Sequence, residues 1–307
     1  MFRIAHISDL HVLSRTGAQW RSVLFNKRVT GYANLLLHRG RVHRRDFLQA
    51  VLEAASRDVD HCVVTGDIVN LALESEYEEA EEFLNRLARS VEVTVVPGNH
   101  DIYLPPILRE RRFPHHFGQF LHSDLPELAC DLPVGPYPCV KLRGPVAIIA
   151  VSSGVPRPPF VAAGYVGAKQ LAALEAALAH PEVARRTPVI LIHHPPIDGR
   201  CRLAQLRDGL VDSAAFRRAL APLTCGLVLF GHLHVRVRCC LRTTAGSLDV
   251  VGASGAALDH ADPSVRAGFN RYEIDEDGRI TTIEAFVLDQ SGRALERTAI
   301  AERPECT

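Results

Sequence analysis

No stretch of the 307-residue chain approaches the roughly 18 consecutive apolar residues that a membrane-spanning helix needs. The N-terminus, MFRIAHISDLH, reaches a charge at residue 3 and lacks the apolar core of a secretory leader. Net charge is missing too. Lys+Arg and Asp+Glu both number 35, which excludes a globally basic nucleic-acid binder but leaves room for a local patch. None of the eight cysteines forms a CxxC pair, and the nearest two are the adjacent Cys239 and Cys240. In a chain this long, that excludes a small disulfide scaffold and fits free thiols in a cytoplasmic protein. Internal repeats, low-complexity tracts and linkers are absent as well, so one domain over residues 1–307 is expected. With 47% hydrophobic and 23% charged residues, the chain reads as globular and able to bury a core.

What is present begins with alternation. Phe2–Ile7, His61–Thr65 and Val91–Val96 are short apolar runs with β-branched members, and they read as strands. Between them, residues 41–57 and 74–89 carry apolar residues at helical spacing. Near-continuous apolar strands alternating with helices predict a buried, largely parallel sheet of the α/β class. Further strands are expected at Val146–Val151, Val189–Ile192, Leu227–Phe230 and Leu248–Val251, a helix at Ala168–His180, and a C-terminal hairpin over residues 268–288. Residues 102–144, rich in Pro, His and aromatics, read as irregular covering structure.

One segment stands apart. Residues 12–45 hold eight basic residues, no acidic one, and interleaved apolar residues such as Trp20, Phe25, Tyr32 and Leu35–Leu37. It reads as a basic amphipathic arm inserted between a strand and its helix. Its roles would be a cap on the domain, a lid over an anionic and partly apolar substrate, or a contact with an anionic membrane or lipid. The only concentrated basic region is thus also strongly apolar, so no stable nucleic-acid partner is expected.

The polar residues that carry chemistry stand just after strands, where open α/β sheets bind ligands. Five such tips present Asp9-Leu10-His11, Gly66-Asp67, Gly98-Asn99-His100-Asp101, His193-His194 and Gly231-His232-Leu233-His234. Imidazole, carboxylate and amide oxygen suit divalent Mn, Fe or Zn, and no cysteine lies within these motifs. On extended backbone, Asp9 and His11 would share one face, as would His232 and His234. Two metals with four ligands each and one shared ligand need seven groups. Asp9, His11, Asp67, Asn99, His193, His232 and His234 are seven, with His194 an alternative to His193. Such a pair acidifies a water and clamps the oxygens of an in-line displacement, as phosphoester hydrolysis requires. His100, beside a ligand but not needed as one, is the natural general acid.

These five ordered blocks, D-x-H, G-D, G-N-H-[DE], H and G-H-x-H, span residues 9–234 and resemble the calcineurin-like metallophosphoesterase superfamily. The resemblance implies a four-layer α/β/β/α sandwich with a dinuclear site at the sheet edge. It implies one metal on Asp9, His11, Asp67 and His234 and a second on Asp67, Asn99, His193 and His232. It also implies that His100 protonates the leaving group and that Asn99 and His100 contact the phosphate; the family's spacer before proline favours His193 over His194. The phosphoprotein phosphatase branch carries an Asp three residues after the bridging Asp, where it orients the catalytic His. Here that position is Asn70, which leaves Asp101 as a candidate orienting group. The compact layout looks most like bacterial cyclic nucleotide phosphodiesterases. The alternatives are a pyrophosphohydrolase of a lipid-linked nucleotide such as UDP-2,3-diacylglucosamine, and a metal-binding scaffold without activity. Among the remaining candidates, His6 reads as a structural histidine within its strand, and His115, His116 and His122 as exposed loop residues. Arg200, Arg202 and Arg207 read as a solvated loop, and Cys239-Cys240 as part of a strand.

Overall fold

The computed structural model describes residues 1–13 and 43–303. Its first part alternates β1 (Phe2–Ile7), α1 (Arg45–Ala55), β2 (His61–Val64), α2 (Glu74–Ala88) and β3 (Glu92–Val95). The three strands pair in parallel, β1 with β2 and β2 with β3. Helix α1 buries Phe47, Leu48, Val51, Leu52 and Ala55, and α2 buries Tyr77, Ala80, Phe83, Leu84 and Leu87. Each set is one stripe of helical period. Helix α2 opens with Glu74 and Glu76 and carries Arg86 in its last turn, as the helix dipole favours. Helix α1 begins at Arg45, four residues later than the periodicity suggests. His43 bridges to Leu258 and Arg44 is extended, so the chain enters the helix from β-like backbone. Most of the basic arm lies outside the described residues.

Residues 102–144 are not irregular cover. They form α3 (Pro105–Arg109), α4 (Arg112–Phe117), β4 (Cys130–Leu132), β5 (Gly135–Tyr137) and β6 (Cys139–Arg143). Two of the prolines that suggested a loop, Pro105 and Pro106, instead start α3, where a missing N–H costs nothing. The aromatics, Phe113, Phe117, Phe120 and Tyr137, are buried in the core.

The chain continues through β7 (Val146–Ala150), α5 (Ala168–Ala179), α6 (Pro181–Ala184), β8 (Thr187–Leu191), α7 (Arg202–Asp208), α8 (Ser213–Leu220), β9 (Leu227–Phe230), β10 (Val237–Arg242) and β11 (Ser247–Gly252). It ends with β12 (Gly268–Ile274), β13 (Ile280–Leu288) and β14 (Leu295–Ala299). The expected hairpin is β12–β13, and β14 adds a strand to it. Two six-stranded sheets result, ordered β14-β13-β12-β1-β2-β3 and β10-β11-β9-β8-β7-β6. In the second, β7, β8, β9 and β11 run parallel, with β6 and β10 antiparallel at the edges.

Side-chain alternation places the layers. Val146, Ile148 and Ala150 of β7 belong to one core with the first sheet, α1 and α2. Ala147, Ile149 and Val151 face a second core with α5 and α8. The order is helices, sheet, sheet, helices, the α/β/β/α arrangement. Polar side chains tie the sheets where they meet: Lys141 Nζ donates to the Val93 carbonyl at 2.8 Å and Asn270 Nδ2 to the Gly252 carbonyl at 3.1 Å. No helix among the described residues is long and apolar enough to cross a membrane.

Candidate functional site

The polar blocks follow β1, β2, β3, β8 and β9 and converge at one edge of the stacked sheets. Extended backbone does not do this. β1 ends at Ile7, and Asp9 and His11 take left-handed backbone, with φ of 51° and 44°. Asp67, His232 and His234 do the same, at 51°, 68° and 54°. These are five of the nine non-glycine residues with positive φ among the described residues. The reading of D-x-H and H-x-H as strand segments is therefore corrected: each donor sits in a bend that turns its side chain off the sheet edge. Asp and His tolerate this conformation better than most, yet each costs about 1–2 kcal/mol, strain of the kind that collects at functional sites. The glycines make the closure sterically feasible. Gly66 is left-handed, and a Cβ there would fall 2.7 Å from His193 Nδ1; a Cβ on Gly98 would fall 2.2 Å from Asp67 Oδ1.

Two groups of donors form. Around Asp9, His234 Nε2 lies 3.1 Å from Oδ1 and His11 Nε2 lies 3.9 Å from it. The two imidazole nitrogens face each other at 3.1 Å. Around His193 Nε2 stand Asn99 Oδ1 at 3.2 Å and His232 Nδ1 at 3.3 Å. Asp67 joins the groups: its Oδ2 is 3.9 Å from His11 Nε2, and its Oδ1 is 3.5 Å from His193 Nε2. Asp9, His11, Asp67 and His193 are buried. The donor set fits a pair of divalent cations. Oxygen and imidazole donors converge on two points, and one carboxylate offers an oxygen to each.

The ring contacts separate His193 from His194. His193 Nδ1–H donates to the Thr65 carbonyl at 2.7 Å, which leaves the Nε2 lone pair aimed into the site. His194 Nε2–H donates to the Ala162 carbonyl and its Nδ1 lies 2.8 Å from Ser153 Oγ, so both its nitrogens are engaged away from the site. His194 lies with His193 and His232 in a cluster of imidazoles able to hold a metal ion, but its own ring nitrogens face Ala162 and Ser153.

His100 is held at both ends, by a carboxylate at its amide and by a carbonyl at its ring. Its N–H donates to Asp67 Oδ1 at 2.8 Å, and its ring Nδ1–H donates to the carbonyl of Asn70 at 2.5 Å. Asp101 does not orient it. That buried carboxylate accepts the N–H groups of Gly98 at 2.8 Å and Val69 at 2.9 Å and so clamps two site loops together. The ring of Tyr103 stacks on His100 at 5.5 Å.

Burial disfavours charge on four of the site groups, and their neighbours decide the outcome on three of them. It opposes ionisation of Asp9 and Asp67, but neighbouring imidazoles, His234 for Asp9 and His193 for Asp67, outweigh it and hold both below the usual carboxylate range. Burial works against a charge on His193 as well, and Asp67 overcomes it, raising His193 to about 9. Burial and then His193 lower His232 to about 4.

Sequence reasoning missed His43, whose ring packs edge-on against His11 at 5.0 Å, and the carbonyls of Thr65 and Asn70, which no residue type announces. His6 is structural as expected, buried between Tyr272 Oη at 3.0 Å and Thr65 Oγ1 at 2.8 Å. His116 corrects its reading as exposed loop: it is buried on α4, with its ring nitrogens 2.8 Å from Glu81 and 2.9 Å from Glu74 of α2. Arg202 and Arg207 stand on α7 rather than in a loop, and Arg200 folds onto Asp198.

A model of the calcineurin-like phosphoesterase family matches residues 2–236. Two solved structures superpose on nearly the whole chain. A dimetal phosphatase from Danio rerio aligns with a TM-score of 0.56 at 15% identity, covering 98% of this chain and 99% of that one. A purple acid phosphatase from yellow lupin (Lupinus luteus) seeds aligns with a TM-score of 0.60 at 11% identity, covering 99% of this chain and 54% of that one. Identities this low speak for the fold alone. Among curated proteins, none matches the chain.

Proposed function

The chain belongs to the calcineurin-like phosphoesterase family, and on that premise we propose that it is a dinuclear metal-dependent hydrolase of small phosphodiesters, 3′,5′-cyclic nucleotides first among them. The observation that carries the reading is Asp67, one carboxylate whose two oxygens face two separate clusters of donors. Asp9, His11, Asp67 and His234 would hold one ion, and Asp67, Asn99, His193 and His232 the other. When bound, Mn, Fe or Zn supplies charge neutralisation for phosphoryl oxygens and a water acidified to near neutrality.

The chain's own residues do the rest. His100 is the general acid. Its Nδ1 proton is committed to the Asn70 carbonyl, which leaves Nε2 to carry the proton given to the departing oxygen. Asn99 offers its amide N–H to the phosphate, since its Oδ1 faces His193. Thr65 fixes the tautomer of His193, and Asp101 fixes the spacing of the loops that carry Asp67 and Asn99. Complete donor clusters weigh against a scaffold without activity.

A second reading, hydrolysis of a lipid-linked pyrophosphate, draws support from large apolar side chains exposed on α7 and on the loop after β7 that packs against His194. One experiment separates the two. Purified protein is assayed on bis-p-nitrophenyl phosphate, p-nitrophenyl phosphate, 3′,5′-cyclic AMP and a UDP-diacylglucosamine, each with Mn and with chelator. Chelator-sensitive turnover of the diester and the cyclic nucleotide is the expected result. Turnover confined to the lipid-linked pyrophosphate would make the second reading the answer. Bound metal without turnover of any of the four would refute both.

A further inference from the structure

Six large hydrophobic side chains are exposed among the described residues, and five of them fall in two short segments. Phe160 and Tyr165 belong to the loop after β7; Leu203, Leu206 and Val211 belong to α7 and the turn beyond it. Phe160 and Leu203 are each 76% exposed and Leu206 is 65% exposed, and α7 buries none of its seven residues. The segments lie side by side. Ala162 N–H donates to the Arg207 carbonyl at 2.8 Å, Gly164 N–H to the Gly209 carbonyl at 2.9 Å, and Val211 N–H back to the Gly164 carbonyl at 3.0 Å. They also lean on the candidate metal site, because Ala162 and Gly164 pack against the ring of His194, next to His193.

The charges around these side chains are sorted by sign. Asp198 and Asp208 have side chains only 7% and 17% exposed, beneath the guanidinium groups they pair with. Asp212 is turned inward to accept the N–H groups of Val166 and Gly167. Arg207 is 60% exposed and Arg200 34%, and Arg202 is exposed beside Leu203. The face therefore shows apolar and cationic groups to its surroundings and keeps its acids inside. The apolar groups are separate tips projecting from two adjoining turns. A deformable layer that admits each tip suits them better than a rigid partner, and cations among apolar tips suit an anionic layer.

We propose that this face inserts into the headgroup region of an anionic lipid bilayer and holds the candidate metal site at the membrane surface. The binding is read without substrate, so it stands or falls separately from the hydrolytic reading. The full chain is sedimented with vesicles of phosphatidylcholine alone and of phosphatidylcholine mixed with phosphatidylglycerol. The wild type is expected to sediment with the anionic vesicles and more weakly with the neutral ones. Phe160→Ser/Leu203→Ser/Leu206→Ser, all at exposed positions, should lower the partition coefficient at least about tenfold. Arg202→Glu/Arg207→Glu should lower it on anionic vesicles by roughly fivefold per arginine. Both variants should turn over bis-p-nitrophenyl phosphate as the wild type does. Three results would overturn the proposal. One is a wild type that stays in the supernatant. Another is a triple serine variant that sediments like the wild type, which would place the contact elsewhere, in residues 12–45 for example. The last is a wild-type dimer that the triple variant dissolves, which would mean that a second copy covers this face.

Discussion

Alanine at Gly98 is opposed by contact, not by backbone conformation, because the residue lies outside the left-handed region. Its Cβ would stand 2.2 Å from Asp67 Oδ1, 2.4 Å from Asp67 N and 2.8 Å from Asp67 Cγ. Restoring ordinary contact requires Asp67, backbone and carboxylate together, or the Gly98–Asn99 loop to move by about 1 Å. The threatened oxygen also accepts the His100 N–H at 2.8 Å and faces His193 at 3.5 Å, so either movement disturbs the shared ligand and the proposed acid together. Misplacement on that scale costs on the order of 100-fold in rate. Overpacking of this kind costs about 1–3 kcal/mol, which a folded domain survives. The assay is kcat/KM on bis-p-nitrophenyl phosphate at saturating Mn, with metal content per chain and a thermal melt on the same preparation. Gly118→Ala is the control, since a Cβ at Gly118 meets nothing within 4 Å, and it should keep full activity. A Gly98→Ala protein that holds two metals and works within about threefold of the wild type would refute the idea that the placement of Asp67 governs the site.

His100→Ala should keep its metal and lose about 10²–10⁴-fold in kcat on a diester with a poor leaving group, and much less on a p-nitrophenyl ester; equal losses on both would remove His100 from the acid role. Asn70→Ala leaves the orienting carbonyl in place, so kcat should stay within a few-fold of the wild type, and a loss as deep as that of His100→Ala would assign the orienting to the side chain instead. Burial lowers His6 to about 3, so the unfolded chain takes up its proton first: its contribution to stability is complete above pH 6.5 and declines as the pH falls toward 3. Between pH 7.5 and 5.5 that amounts to about 1.4 kcal/mol in urea unfolding of chelator-treated protein, and His6→Gln should lack it; an identical pH dependence in the two proteins would rule His6 out as the source.

The strand tips were legible in the sequence because strand and donor carry separate signals. A short β-branched run such as His61–Val64 marks a buried strand, and Gly66-Asp67 marks the chemistry just beyond it. What was not legible lies in the backbone. Strand period predicted Asp9 and His11 on one extended face, whereas both donors reach the site from left-handed bends. The carbonyls of Thr65 and Asn70 set two imidazoles, and a carbonyl leaves no trace in residue type. Composition misled at residues 102–144, where proline served as a helix start and aromatics as core. His116 was misread for a related reason, because its carboxylate partners, Glu74 and Glu81, stand 42 and 35 residues away.

The bends explain why the site needs the whole fold. Five non-glycine residues hold positive φ at one edge, and at about 1–2 kcal/mol each the strain approaches the stability of an ordinary domain. Local sequence cannot offset that. The two cores can, because four of the five donor loops are anchored by strands that pair with neighbours on both sides: β1 lies between β12 and β2, β2 between β1 and β3, β8 between β7 and β9, and β9 between β8 and β11. Only β3, which presents Asn99 and His100, lies at a sheet edge. Its loop is also the one secured by Asp101 through Gly98 and Val69, and by Asp67 through the His100 N–H. The buried carboxylate that sequence cast as a partner for His100 thus does for the edge strand what a second neighbouring strand does for the others.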